Sequence, residues 1–122
     1  MTFLIAEDSS RMRESIKHFL HESIPGPHTF LEASDGGEAV ELYSRGLPDW
    51  VLMDIKMEPM DGLAASRAIL AAHPAARIII LTSYDDAAYR KAAKDAGTRA
   101  FVLKEHLNEI PAIVSGRESV CS

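Results

Sequence analysis

Five polar residues stand where apolar runs end. Glu7 and Asp8 follow Phe3–Ala6, Asp54 follows Trp50–Met53, Thr82 follows Ile78–Leu81, and Lys104 follows Ala100–Leu103. Three carboxylates brought within ~5 Å of one another would repel by about 3 kcal/mol per pair at an effective dielectric near 20, so such a cluster calls for a cation. All-oxygen donors with room for water suit Mg²⁺ or Mn²⁺, whereas Zn²⁺ prefers His and Cys. Beside such an ion Asp54 has the chemistry of a nucleophile toward phosphorus, because Asp carboxylates form acyl phosphates. Lys104 would neutralise charge on the phosphoryl oxygens and Thr82 would donate a hydrogen bond to one of them.

Those roles hold only if the runs are neighbouring strands of one sheet. The four runs, with Thr29–Ala33, make five strand candidates, and segments of helical period separate them. Met12, Ile16, Phe19 and Leu20 place one apolar stripe on the first helix. Asp35-Gly36-Gly37-Glu38 has the spacing of a capping box, Gly46 and Pro48 end the second helix, and Gly97 closes the fourth. Pro25-Gly26-Pro27 is a turn before the second strand. This alternation predicts an α/β, doubly wound, five-stranded parallel sheet of order 2-1-3-4-5, the (βα)5 flavodoxin-like arrangement. Ile78-Ile79-Ile80-Leu81 is continuously apolar, as a strand covered on both faces must be. In that order Asp54 is central, Asp8 and Thr82 flank it, and Lys104 reaches in from two strands away, each step ~4.8 Å.

With 122 residues the chain has room for one domain, expected over residues 1–116, with a tail or linker start at 117–122. Thirteen Lys and Arg against eighteen Asp and Glu leave a net charge of −5, which is not the electrostatic footprint of direct nucleic-acid binding. One cysteine, Cys121, forms no intrachain disulfide, and the first apolar run is too short for a signal-peptide core. No stretch approaches the ~20 residues that span a membrane, so a cytoplasmic setting is expected. His18 and His21 are three apart on the first helix and lack a third ligand, which reads as solvated helix surface.

Ile5-Ala6-Glu7-Asp8, Val51-Leu52-Met53-Asp54-Ile55-Lys56-Met57 with Met60-Asp61-Gly62, Leu81-Thr82, and Ala100-Phe101-Val102-Leu103-Lys104 resemble the receiver domain of two-component response regulators. The resemblance spans nearly the whole chain. It implies that Asp54 is the phosphoacceptor, taking its phosphoryl group from a phosphohistidine on a sensor histidine kinase or histidine phosphotransfer protein. It implies Mg²⁺ held by Glu7, Asp8, Asp54 and the backbone carbonyl of Lys56, and a domain that catalyses its own phosphorylation and dephosphorylation. Thr82 and Phe101 match the pair that couples the phosphoryl group to a rearranged face of helix 4, strand 5 and helix 5, through which a homodimer would form.

Departures from the family pattern accompany the match. Where the family has Pro four residues after the acceptor, this chain has Glu58, then Pro59, which alters the loop and adds a negative charge. Glu105 follows Lys104 in place of the usual Pro, as in the subfamily often fused to a helix-turn-helix DNA-binding domain. The 18 residues after Lys104 suffice for one short helix carrying Pro111 and a polar tail. Lys56 and Tyr84, two positions after Asp54 and Thr82, flank the site where they would screen or admit hydrolytic water. The alternative reading is a receiver-like interaction module that works without phosphorylation. An FMN carrier or Asp-nucleophile phosphatase on the same fold lacks support, since no Gly-rich phosphate loop follows the first strand.

Overall fold

The computed structural model describes residues 1–116, so the expected tail at 117–122 and Cys121 lie outside the described residues. Five strands alternate with helices: β1 (Thr2–Ala6), α1 (Ser10–Ser23), β2 (Thr29–Ala33), α2 (Gly36–Gly46), β3 (Trp50–Met53), α3 (Gly62–Ala72), β4 (Ile78–Thr82), α4 (Ala87–Ala96) and β5 (Ala100–Leu103). A 3-10 turn over Lys104–Glu109 then leads into α5 (Ile110–Ser115). All pairings are parallel and the order is β2-β1-β3-β4-β5, the doubly wound flavodoxin-like sheet expected from the alternation.

Burial explains the hydropathy pattern. The central strands β3 and β4 are buried throughout, whereas the edge strand β2 is mostly half-exposed or exposed. Two cores sandwich the sheet. Ile16 and Leu20 of α1 and Ile110 and Ile113 of α5 pack on Phe3, Ile5, Leu52 and Leu81. Ala39 and Tyr43 of α2, Leu63, Ala65 and Ile69 of α3, and Ala93 of α4 pack on Leu4, Met53, Ile78 and Ile80. Each fully buried Ile or Leu contributes about 2 kcal/mol against its exposed state, so the sheet is held from both faces.

Caps set where helices enter the site. Ser9, Asp35, Asp61 and Asp86 cap α1, α2, α3 and α4 by accepting from main-chain N–H groups in the first turn. The expected box at Asp35 is present in shifted form, because Glu38 accepts from Ser34 N–H at 2.7 Å, not from Asp35. Pro111 sits in the first turn of α5, where its missing N–H costs little. Thr82 closes β4 as its last strand residue, one beyond the expected boundary.

Helix α2 ends where Gly46 and Pro48 imply, with an unusual cap. Gly46 is the last helical residue, and the left-handed cap falls on Leu47 (φ 42°, ψ 59°), a residue that is 61% exposed. An L residue is strained there, and little burial offsets it. Leu47→Gly is expected to stabilise the fold by about 0.5 kcal/mol after allowing for the freer unfolded chain, read as a higher urea midpoint at unchanged slope. A lowered midpoint would mean that Leu47's contacts outweigh its backbone strain.

Candidate functional site

The carboxyl ends of β1, β3, β4 and β5 bring the five singled-out residues to one end of the sheet, at the switch between β1 and β3. Ligand oxygens of Glu7, Asp8 and Asp54 lie within 4.8 Å of one another. Glu7 and Asp54 are buried, whereas Asp8 is exposed. Among the described residues these three form the one His, Cys, Asp or Glu group so placed, and the exposed His18 and His21 belong to none.

Glu7 and Asp54 are held by their neighbours. Asp54 N–H donates to Ala6 O at 3.0 Å, tying the strand ends together, and Asp54 Oδ1 accepts from Ile55 N–H at 2.9 Å. Glu7 Oε2 accepts from Ser9 N–H at 3.0 Å. Lys104 Nζ, reaching from the start of the 3-10 turn, lies 2.5 Å from Glu7 Oε1 and 3.3 Å from Asp54 Oδ2. The contact with Glu7 Oε1 is an ion pair without hydrogen-bond alignment, so that buried oxygen has a counter-charge but no aligned donor. A buried, under-donated carboxylate oxygen facing two further carboxylates fits a hard divalent cation, and the all-oxygen set is the kind Mg²⁺ prefers.

Electrostatics follow from this crowding. Burial pushes the Glu7 carboxyl above its usual range, against the lowering effect of Lys104 and of Ser9 N–H. Burial alone would lower Lys104, yet Glu7 and Asp54 outweigh it and hold the ammonium above its usual value. The lysine is therefore a fixed positive charge across the whole neutral range.

The other predicted residues surround this centre. Thr82 is fully buried and its Oγ1 accepts from Tyr84 N–H at 3.2 Å, leaving the hydroxyl hydrogen able to donate elsewhere. Lys56 is exposed, its Nζ 5.0 Å from the centroid of Tyr84 and 5.6 Å from that of Tyr89. Glu58 is exposed, joined to Pro59 by a cis peptide bond, and is not part of the acidic cluster. It lines a cavity of about 580 Å³ with Asp8, Lys56, Asp61 and Tyr89. Phe101 is half-buried on β5, and the Arg90 guanidinium lies 4.5 Å from its ring centroid.

Three neighbours escaped the sequence reading. Tyr89 and Arg90 lie on α4 and Arg13 on α1, each carried to its contact by the helix and not by a strand end. The only available signal was helical spacing from residues already chosen, which names many candidates and selects none.

The chain matches the family model described as the response regulator receiver domain over residues 3–115. It is similar to the transcriptional regulatory protein PdtaR of Mycobacterium tuberculosis, with 40% identity over 83% of this chain. It spans 48% of that relative's length. Among solved structures it resembles a LuxR-family two-component response regulator from Aurantimonas, with 32% identity, TM-score 0.86, and 94% of this chain and 85% of that one covered. It also resembles the CheX-CheY-BeF3-Mg+2 complex from Borrelia burgdorferi, with 25% identity, TM-score 0.82, and 96% and 88% covered. The fold, the acidic cluster and these matches define a signalling module of two-component systems. The chain belongs to the response regulator receiver domain family. No helix among the described residues is long and apolar enough to cross a membrane.

Proposed function

We propose that residues 1–116 form a phosphorylatable receiver in which Asp54 takes a phosphoryl group from a phosphohistidine on a sensor histidine kinase or histidine phosphotransfer protein. The observation that carries this reading is a buried Asp54 carboxylate gathered with two further carboxylates and 3.3 Å from the Lys104 ammonium. An Asp54 oxygen attacks phosphorus, the Oδ–P bond forms as the P–N bond breaks, and the electron pair leaves with the imidazole nitrogen. Lys104 meets the negative charge on the transferring oxygens, and Thr82 donates its hydroxyl hydrogen to one of them. Glu7, Asp8, Asp54 and the Lys56 carbonyl would hold Mg²⁺, or Mn²⁺ in its place. When bound, that ion neutralises phosphoryl charge and relieves the repulsion among the carboxylates. The CheX-CheY-BeF3-Mg+2 complex from Borrelia burgdorferi supports this chemistry by analogy.

The same groups carry the removal step, in which water attacks phosphorus, the Oδ–P bond breaks, the Asp54 carboxylate is regenerated and inorganic phosphate leaves, so that the domain dephosphorylates itself. Lys56, whose Nζ lies over the Tyr84 and Tyr89 rings, and Tyr84 would screen or admit that water. Output follows from Thr82 and Phe101, which shift the face of α4, β5 and α5 between two populations and make it available to a partner or to a second copy. This chain then acts in the cytoplasm through proteins, with no direct contact to nucleic acid. The phosphorylation-independent alternative gains nothing from Glu58, which is outside the acidic cluster and removes no ligand from it.

Intact mass after incubation with a small-molecule phosphodonor tests the reading. One phosphoryl adduct is expected that requires Mg²⁺ and disappears in Asp54→Asn. An adduct that survives in Asp54→Asn, or none in the native protein together with no Mg²⁺ uptake, would overturn it.

A further inference from the structure

We propose that Arg13 is a positioning residue for the acidic site, fixing the Glu7–Asp8 turn from α1 while anchored on Glu32 of β2. The inference rests on the metal-binding reading above and adds to it a residue and its anchor.

Arg13 has one foot in the site and one outside. Its Nη1 donates to the main-chain carbonyl of Glu7 at 2.5 Å, and its Nε donates to Glu32 Oε1 at 3.0 Å. Lys17 Nζ occupies the other Glu32 oxygen at 2.9 Å and reaches Glu14 at 2.7 Å, so Glu32 is held from two sides. The Arg13 side chain is 17% exposed, which keeps the fork from swinging freely.

The Glu7 carbonyl matters because of what else is already fixed. Glu7 N–H donates to Ala33 O at 2.9 Å, and Glu7 Oε2 accepts from Ser9 N–H. Once Arg13 takes the carbonyl, Glu7 Oε1 is its remaining polar atom, and that atom faces Lys104 and the other carboxylates. The same carbonyl defines the peptide plane that leads into Asp8. Asp8 is exposed, so packing does not place it, and the orientation of that plane does. A guanidinium suits the task because its N–H groups point in fixed directions in one plane; a lysine ammonium supplies the charge without the fork.

Titration calorimetry with Mg²⁺, supported by Mn²⁺ electron paramagnetic resonance, tests the inference on the full chain. Arg13→Met is expected to weaken Mg²⁺ binding about tenfold, in the range found when partners of metal ligands are removed. Arg13→Lys should recover less than half of that loss on a logarithmic scale. Glu32→Gln should weaken binding several-fold, and the double variant Arg13→Met/Glu32→Gln should be no worse than Arg13→Met, because both changes break one chain of contacts. Lys17→Met should stay within about twofold of the native protein. If Arg13→Met does not fold, Arg13→Lys and Glu32→Gln carry the test alone. Native-like affinity in Arg13→Met, or full recovery in Arg13→Lys, overturns the positioning role while leaving the metal reading intact. A native protein that takes up no Mg²⁺ overturns both.

Discussion

Gly62→Ala is expected to lower the melting temperature by roughly 10 °C or more and to abolish phosphoryl uptake at Asp54. A Cβ at position 62 would lie 1.8 Å from the Asp54 carbonyl oxygen and 2.8 Å from its carbon. Neither partner can retreat cheaply. Asp54 N–H is bonded to Ala6 O at 3.0 Å, and Gly62 N–H is bonded to Ile55 O at 2.9 Å. Asp61 beside it caps α3 through Ala64 N–H at 2.8 Å. The first turn of α3 is thus pressed directly against the peptide that carries the acceptor, and any accommodation moves the acceptor itself. Gly37→Ala is the control. Its Cβ would meet only the Asp35 side chain, at 3.3 Å, and the exposed first turn of α2 should change stability by no more than about 1 kcal/mol. A Gly62→Ala protein that melts within a few degrees of the native one would show that α3 slides away from β3 without penalty.

The contrast between these two glycines shows how much was legible beforehand. Strand ends were readable because a parallel strand buried on both faces must be apolar along its length, so the first polar residue after Met53 or Leu81 marks the rim of the sheet. Topology followed from alternation and handedness, and with it the convergence of Glu7, Asp8, Asp54, Thr82 and Lys104. Gly62 also stood in the motif that carried the family resemblance, but the 1.8 Å approach behind it depends on how α3 docks, which no local pattern encodes. Gly46 ends α2, as its place before Pro48 implies, but the left-handed cap that follows falls on Leu47, which no local pattern marks. The 3-10 turn that begins at Lys104 was missed for a similar reason. Its six residues, Lys-Glu-His-Leu-Asn-Glu, bury no side chain and show no periodic stripe. Arg13 was invisible since its bond into the site is to a carbonyl, and main-chain acceptors carry no sequence signature.

Lys104→Met should separate two roles that the native lysine combines. Methionine keeps the apolar stem and removes the charge, leaving Glu7 and Asp54, with side chains 3% and 6% exposed, without the cation between them. Without Mg²⁺ at neutral pH the variant is expected to be less stable by about 3 kcal/mol, the scale of breaking a buried ion pair. The deficit should depend on pH in a definite sense. Lys104 is held above its usual value in the folded protein, so its contribution is complete below about pH 10.5 and is lost as the pH rises through the folded value. Glu7 is already raised by burial, and losing the cation raises it further, so the folded variant takes up a proton more readily than the unfolded chain and regains stability as the pH falls through that value. The gap between native and variant is therefore widest from neutral to mildly alkaline pH and closes toward both extremes. Mg²⁺ should narrow it as well, because a more negative site binds the ion more tightly; at 100 times the dissociation constant a ligand adds about 2.7 kcal/mol. Phosphoryl uptake should nonetheless remain at least tenfold slower than native at saturating Mg²⁺, since the ion replaces the counter-charge for the carboxylates and not the ammonium that meets the transferring oxygens. Urea unfolding across pH with and without Mg²⁺, paired with the rate of adduct formation, checks both halves. A deficit that is flat with pH would refute the buried-pair account, and native phosphorylation rates in the variant would remove Lys104 from the chemistry.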